Sequence, residues 1–268
     1  MKKISILVLT LILILSLTAC AKVTPAVTPA PTPEPTPTIV PSPTPVPTMT
    51  SDAAITAYLA AADKTFKLTK SAYTGTATST TAGTTTTINI SLEQINDPVN
   101  PLKHMKLTVS GQTIEYYFNS TYMTMEMASI VKAKVQLPAG TNIVTGAGLD
   151  SLYKTVPLSK QVYPAQAEIK TITATFEKGG WRMTLDLTAD GQKKLGSDDS
   201  VTKFTYSCYI NADGYIGEET VSMDATTAGV TSSNVSVMTL ADTTKDVVIL
   251  FPDLSGFTEV KYADLFAQ

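Results

Sequence analysis

Two periodicities divide the chain. Ile55, Leu59, Ala62 and Phe66 recur at i, i+4, i+7 and i+11, one stripe of an α-helix. Ser51-Asp52 ahead of this alanine-rich run reads as its N-cap, and the helix is expected to end near Leu68. Beyond Ser71 the period drops to two. Met105, Leu107 and Val109 alternate with His104, Lys106 and Thr108; Ser110-Gly111 marks a turn. Ile114, Tyr116 and Phe118 follow, then a turn at Asn119-Ser120, then Met123, Met125 and Met127. This is a meander of hairpins with one apolar face. The threonine-rich stretch from Tyr73 to Leu92, broken at Ala82-Gly83, predicts an earlier hairpin, since β-branched threonine suits a half-exposed strand.

Residues 137–167 break the alternation with Pro138, Gly140, Gly146, Gly148, Pro157 and Pro164, and Leu149–Val156 has the length of a short helix. The segment reads as a long crossing connection or, alternatively, as a boundary between two small sheets, each with a thin core. Alternation resumes with Ile172, Ala174 and Phe176, a turn at Lys178-Gly179-Gly180, and then Trp181, Met183, Leu185 and Leu187. Thr188–Leu195 suggests a brief helical excursion and Val201–Ile210 a strand. Asp213-Gly214 is a hairpin signal, because a tight turn needs positive φ. Tyr215–Met223, Val235–Leu240 and Val247–Phe251 are the last expected strands.

The N-terminus has another character. Lys2 and Lys3 precede an apolar run from Ile4 to Leu15, and Leu17-Thr18-Ala19-Cys20 closes it. A basic start, an apolar stretch and small residues at a cleavage point form a secretory signal. The run falls short of the roughly 20 residues of a membrane span, which is the competing reading. Cys20 directly after Leu-Thr-Ala resembles the lipobox of bacterial lipoproteins. That resemblance implies removal of residues 1–19, acylation of Cys20, and anchoring at the extracytoplasmic face of the cell membrane. Residues 24–49 carry ten of the sixteen prolines. Proline fixes φ and lacks an amide donor, so within a spacer over residues 20–50 the stretch 24–49 is expected to be extended, roughly 80 Å at full stretch. Recognition of this tract by a polyproline-binding module is the alternative, and its threonines are potential glycosylation sites.

Residues 51–268 remain as the folded domain. They hold 17 basic and 22 acidic residues, without a run of like charge. Nucleic acid is disfavoured, because phosphate contacts need a basic stripe. With Cys20 committed to lipid, Cys208 stands alone, which excludes a disulfide framework or a cysteine metal site. His104, the single histidine, alternates onto the polar side of its strand and reads as solvated. Cys208 shares a face with Phe204, Tyr206 and Ile210 and reads as a buried thiol. Asp198-Asp199 reads as a loop and Asp190-Gly191 as a turn. Glu115 and Glu126, apposed across a hairpin, have the pairing of glycosidase carboxylates but no cleft. Asn89, Asn119 and Asn234 open Asn-x-Ser/Thr triplets that matter only in a glycosylating host. No cofactor, metal or catalytic residue is expected.

The phrases His104-Met-Lys-Leu-Thr-Val-Ser-Gly-Gln-Thr-Ile-Glu-Tyr-Tyr and Tyr122-Met-Thr-Met-Glu-Met, in this order of lipobox, spacer, helix and two meanders, resemble the LolA/LppX-type lipoproteins and related Gram-positive lipoproteins of undefined role. The likeness covers about residues 52–260. It implies an α+β fold: a curved antiparallel sheet, a half-open barrel, with the N-terminal helix on its concave side and acyl chains held there. No binding residue transfers singly from the family. From the strand phases, Met105, Met123, Met125, Met127, Trp181, Met183 and Leu185 are expected to line a hydrophobic cavity, methionine being suited to irregular apolar space. The alternative is that they form an ordinary packed core. Two functions follow: a non-enzymatic lipoprotein binding a lipid or other hydrophobic molecule, or a structural or protein-interaction module with a closed core. A membrane-proximal sensor is a further reading, and protein partners are not specified by the sequence.

Overall fold

A computed structural model of the chain describes residues 47–127, 130–144, 163–227, 229–241, 246–262 and 264. All described secondary structure lies in the compact unit Thr48–Gln268. The signal segment, Cys20, nearly all of the spacer and the helix expected at Leu149–Val156 lie outside the described residues.

Helix α1 (Ser51–Phe66) is followed by β1 (Lys70–Thr81), β2 (Thr84–Ile95), β3 (Leu102–Val109), β4 (Gln112–Phe118), β5 (Tyr122–Met127) and β6 (Val131–Gln136). Then come β7 (Ile169–Glu177), β8 (Gly180–Leu187), a short α2 (Ala189–Lys194), β9 (Val201–Ile210), β10 (Ile216–Thr227), β11 (Val230–Leu240) and β12 (Thr258–Val260). All twelve strands form one sheet in the order β12-β6-β5-β4-β3-β2-β1-β11-β10-β9-β8-β7. The sheet curves around α1 but stays open, with β12 and β7 at its two edges. It is antiparallel except where β12 runs parallel to β6.

The turns explain the regularity. Ala82-Gly83, Ser110-Gly111 and Lys178-Gly179 each place a residue near φ 50° before a glycine near φ 80°. These are tight turns of the primed kind, whose twist matches that of the flanking strands. The tips of the long hairpins are bound by threonine pairs: Thr78 with Thr87 at 3.3 Å, Thr80 with Thr85 at 2.9 Å and Thr226 with Thr231 at 3.1 Å. Such cross-strand pairs stabilise a ribbon that has no core beneath it.

One sheet runs through both halves of the sequence. β1 pairs with β11 from Tyr73↔Leu240 to Thr81↔Ser232, so the segment after β6 connects one side of the sheet to its opposite edge at β7. The reading of two separate small sheets is not what forms.

The helix buries a different stripe from the one expected. Ala54, Tyr58, Ala61, Ala62 and Thr65 face the sheet, while Ile55 and Leu59 are half-buried and Phe66 is 40% exposed. Three alanines let the helix axis come close to β7–β10, and Tyr58 fills the remaining depth. Its N-cap is Thr50, whose hydroxyl accepts from the Ala53 amide. Ser51 instead accepts from the Ile172 amide at 3.1 Å, tying the helix to the edge strand. At the other end Thr65 Oγ1 accepts from the Ile216 amide at 2.8 Å.

Val247–Phe251 is not a strand. It is an extended strap whose Val247 and Ile249 pack on Ala72, Ile95, Leu102 and Tyr117, while Val248 and Leu250 stay exposed. That half-buried alternation imitates a strand in the sequence, yet the segment lies across a sheet face and has no ladder to join. Phe251 meets Tyr117 edge-on at 6.5 Å. The chain then reaches β12 at the β6 edge, shielding that edge from pairing with other chains.

Candidate functional site

Registers decide which side chains share a face. Leu92 opposes Tyr73 and Met105, Met105 opposes Tyr116, Tyr116 opposes Met125, and Met125 opposes Ala133. On the other half Ile172 opposes Leu185, Leu185 opposes Tyr206, and Tyr206 opposes Val221. The β1–β11 and β10–β11 registers join these rows, so all of these residues lie on one inner face, the face that carries α1. Met105, Met123, Met125, Met127, Trp181, Met183 and Leu185 are all on it.

That face carries two clusters. One, under β1–β6 and β11, gathers Tyr73, Leu92, Met105, Phe118, Met123 and Met238, with Leu137 and Ile143 from the connection after β6. The other, under β7–β10, joins α1 through Tyr58 to Met183, Leu185, Tyr206 and Cys208. Met105, Met123, Met183 and Leu185 are fully packed. Met125 and Met127, with Ile88, Ile114, Phe204, Val221 and Met223, stay half-buried toward the hairpin tips. Trp181 is also half-buried, its ring edge-on to Phe176 at 5.3 Å. The methionine set is therefore part core and part accessible apolar surface.

Following the registers across the strands, the inner face presents two charged side chains among the described residues, Lys103 on β3 and Glu219 on β10. Glu219 opposes Met238 and Cys208 and accepts a hydrogen bond from Tyr206 Oη at 2.5 Å. Burial pushes its carboxyl above the ordinary glutamate value, and the Tyr206 hydrogen bond only partly offsets this. Beside it the hydroxyls of Tyr58 and Tyr163 are buried, and burial drives both phenols well above their ordinary pKa. Burial likewise raises the Cys208 thiol far above its usual value, as expected for an inert cysteine. Phase alone would have revealed Glu219, which shares its parity with Val221 and Met223, but its acidic neighbour Glu218 hides the signal.

A carboxyl whose pKa is raised on folding stabilises the fold below its unfolded value, and that contribution is lost as pH rises through the folded value. Glu219→Gln keeps an oxygen for Tyr206 and removes the buried charge. Denaturant melts across acid to neutral pH should show the variant about 1 kcal/mol more stable at neutrality, with the gap closing below the ordinary glutamate range. An unchanged gap across that range would mean that Glu219 does not titrate with folding.

The outer face is polar beyond the apolar strip that Val247 and Ile249 cover. His104 stacks on Tyr117 at 4.2 Å and lies 3.0 Å from Glu115 Oε2 and 3.5 Å from Glu93 Oε2. It is held in a charged network and is less solvated than its alternation suggests. Burial opposes the Glu115 carboxylate, but hydrogen bonds from His104 and Tyr117 and the charge of Lys106 outweigh it and hold the carboxyl below its ordinary value. Glu126 sits opposite Glu115 in register and pairs with Lys132 at 2.8 Å. These glutamates form a surface of matched charge. Asp198 accepts from the Ser200 amide and hydroxyl in an exposed turn. Among the described residues no group of three His, Cys, Asp or Glu side chains is arranged to hold a metal, and no helix is long and apolar enough to cross a membrane.

No protein-family model matches the chain, and no curated protein matches it. Among solved structures, a DUF1329 family protein from Desulfovibrio piger shares 8% identity, over 73% of this chain and 92% of that one, with a TM-score of 0.26. A LolA superfamily protein from Nitrosomonas europaea shares 12% identity, over 72% of this chain and 92% of that one, also at 0.26. Overlap this low leaves the function to be argued from the chain's own residues.

Proposed function

We propose that the chain is a lipid-anchored, non-enzymatic lipoprotein of the cell envelope whose inner sheet face binds a lipid or another hydrophobic molecule. One observation supports this most directly. The inner face is apolar across most of the sheet, yet Met125, Met127, Ile88, Ile114 and Met223 remain partly accessible while turned to the concave side. A curved sheet buries its inner face against helix, connection or ligand, and α1 packs on the β7–β10 half. Pliable methionine thioethers suit guests of differing shape. The Cys20 context supports a membrane-tethered position, and the proline-rich tract supports a stalk.

The test substitutes Met125→Trp in the full-length chain carrying Cys20→Ser, so that no attached acyl chain is counted as ligand. An accessible face accepts the indole, and lipid co-purified with the parent should be lost while stability changes by less than about 1 kcal/mol. A closed core would overpack and lose about 1–3 kcal/mol. Solvent extraction with mass spectrometry, paired with urea melts, reads both. A parent that extracts no lipid together with a strongly destabilised Trp variant would replace the binding reading with a packed interaction module. Cell fractionation of the Cys20→Ser chain tests the anchor, since unchanged membrane retention would rule out acylation there.

A further inference from the structure

At one end of the inner face a cross-strand row departs from the apolar pattern. Ser71 on β1 opposes Gln94 on β2, Gln94 opposes Lys103 on β3, and Lys103 opposes Phe118 on β4. All three polar side chains are buried, Lys103 with 9% of its surface exposed. Among the described residues no carboxylate, hydrogen-bond acceptor or ring meets the Lys103 ammonium, and Ser71 Oγ is buried without a partner. The other inner-face charge, Glu219, lies four strands away, about 19 Å along the sheet at ordinary strand spacing. Lys103 is in phase with Met105 on its own strand, and its row continues through Phe118 to Met123 and Val135.

A buried ammonium without a counter-charge is costly, and an anion brought against it recovers that cost as a charge-assisted hydrogen bond. We propose that this row is a headgroup site: the inner face takes an amphiphile with an anionic head, its carboxylate or phosphate on Lys103 and Ser71 Oγ, its chain directed along the same face toward the partly accessible Ile114, Met125 and Met127. The inference rests on the hydrophobic-binding reading and narrows its ligand class. Burial lowers the Lys103 pKa to about 8, so near neutrality most molecules carry the positive charge that the anion requires. A neutral lipid would leave Lys103 and Ser71 unpaired and gain nothing from them.

The test compares a long-chain fatty acid, the alkyl phosphate and the alcohol of the same chain length. Each is titrated into delipidated full-length Cys20→Ser chain and into its Lys103→Met and Lys103→Arg variants. Both anions, or one of them, should bind roughly tenfold or more tightly than the alcohol. Lys103→Met should abolish that preference while leaving the affinity for the alcohol within about threefold, and Lys103→Arg should retain it. The anion that shows the preference distinguishes a carboxylate from a phosphate head. Equal binding of acid, phosphate and alcohol, or a preference that survives Lys103→Met, overturns the headgroup site and leaves hydrophobic binding standing. Binding of none of the three overturns both. Thermal melts of each variant confirm that the comparison is between folded proteins.

Discussion

Gly75→Ala should lower the unfolding free energy by about 3 kcal/mol. Gly75 lies in β1 opposite Met238 of β11, and this ladder joins the β1–β6 half of the sheet to the β7–β11 half. A Cβ there would lie 2.1 Å from the Val237 carbonyl oxygen and 2.6 Å from Met238 Sδ. The sulfur can swing away; the carbonyl belongs to the ladder and cannot move without separating the strands. The informative comparison is Gly83→Ala in the β1–β2 turn. There φ is +79° and nothing lies within 4 Å of the added carbon, so only backbone strain of about 1 kcal/mol is expected. Urea melts of both variants measure the difference. Equal, small losses would show that the seam between the halves has slack.

The same seam explains why the sequence revealed some features and hid others. Strand phase depends on nearest neighbours along the chain, so the inner-face parity of Met105, Met123, Met125, Met127, Met183 and Leu185 could be read directly. Each tight turn also announced itself, because Ala82-Gly83, Ser110-Gly111 and Lys178-Gly179 place glycine where φ must be positive. The partnership of β1 with β11 left no local trace. It depends on a connection from β6 to the far edge and on a long-range ladder that no short window contains.

The errors have local causes. Side-chain hydrophobicity favours the stripe Ile55, Leu59, Ala62 and Phe66, of which Ala62 alone is fully buried. Packing selected Ala54, Tyr58, Ala61 and Ala62 because small residues allow a closer approach to the sheet. Val247–Phe251 alternates as a strand does, since any extended segment lying on a surface buries every second residue. Lys103 was legible in principle, two residues before Met105 and in its phase. A lone lysine at the head of an alternating run reads as flanking charge, and only the register with Gln94 and Phe118 places it inside.

Burial of Lys103 has a consequence for stability as large as that of the seam, and of opposite sign. Its pKa falls from 10.5 in an open chain to about 8 in the fold because burial disfavours the ammonium. Below pH 8 folding therefore has to bury a charge, whereas above 10.5 both states are neutral and the cost disappears. Between these values the unfolded chain binds more protons, so stability should rise with pH. A shift of this size corresponds to about 3 kcal/mol. Lys103→Met, close in volume and uncharged, should be more stable than the parent by about that amount at neutral pH, with the advantage vanishing as pH approaches 10.5. Denaturant melts of parent and variant at neutral and alkaline pH measure this directly. A parent whose stability is flat over that window would mean that the ammonium reaches water along the strand end, as long lysine side chains can. In that case it would lack the uncompensated charge on which anion recognition depends. If the rise is found, a bound anionic amphiphile should flatten it by supplying the missing counter-charge, and the alcohol of the same chain length should not.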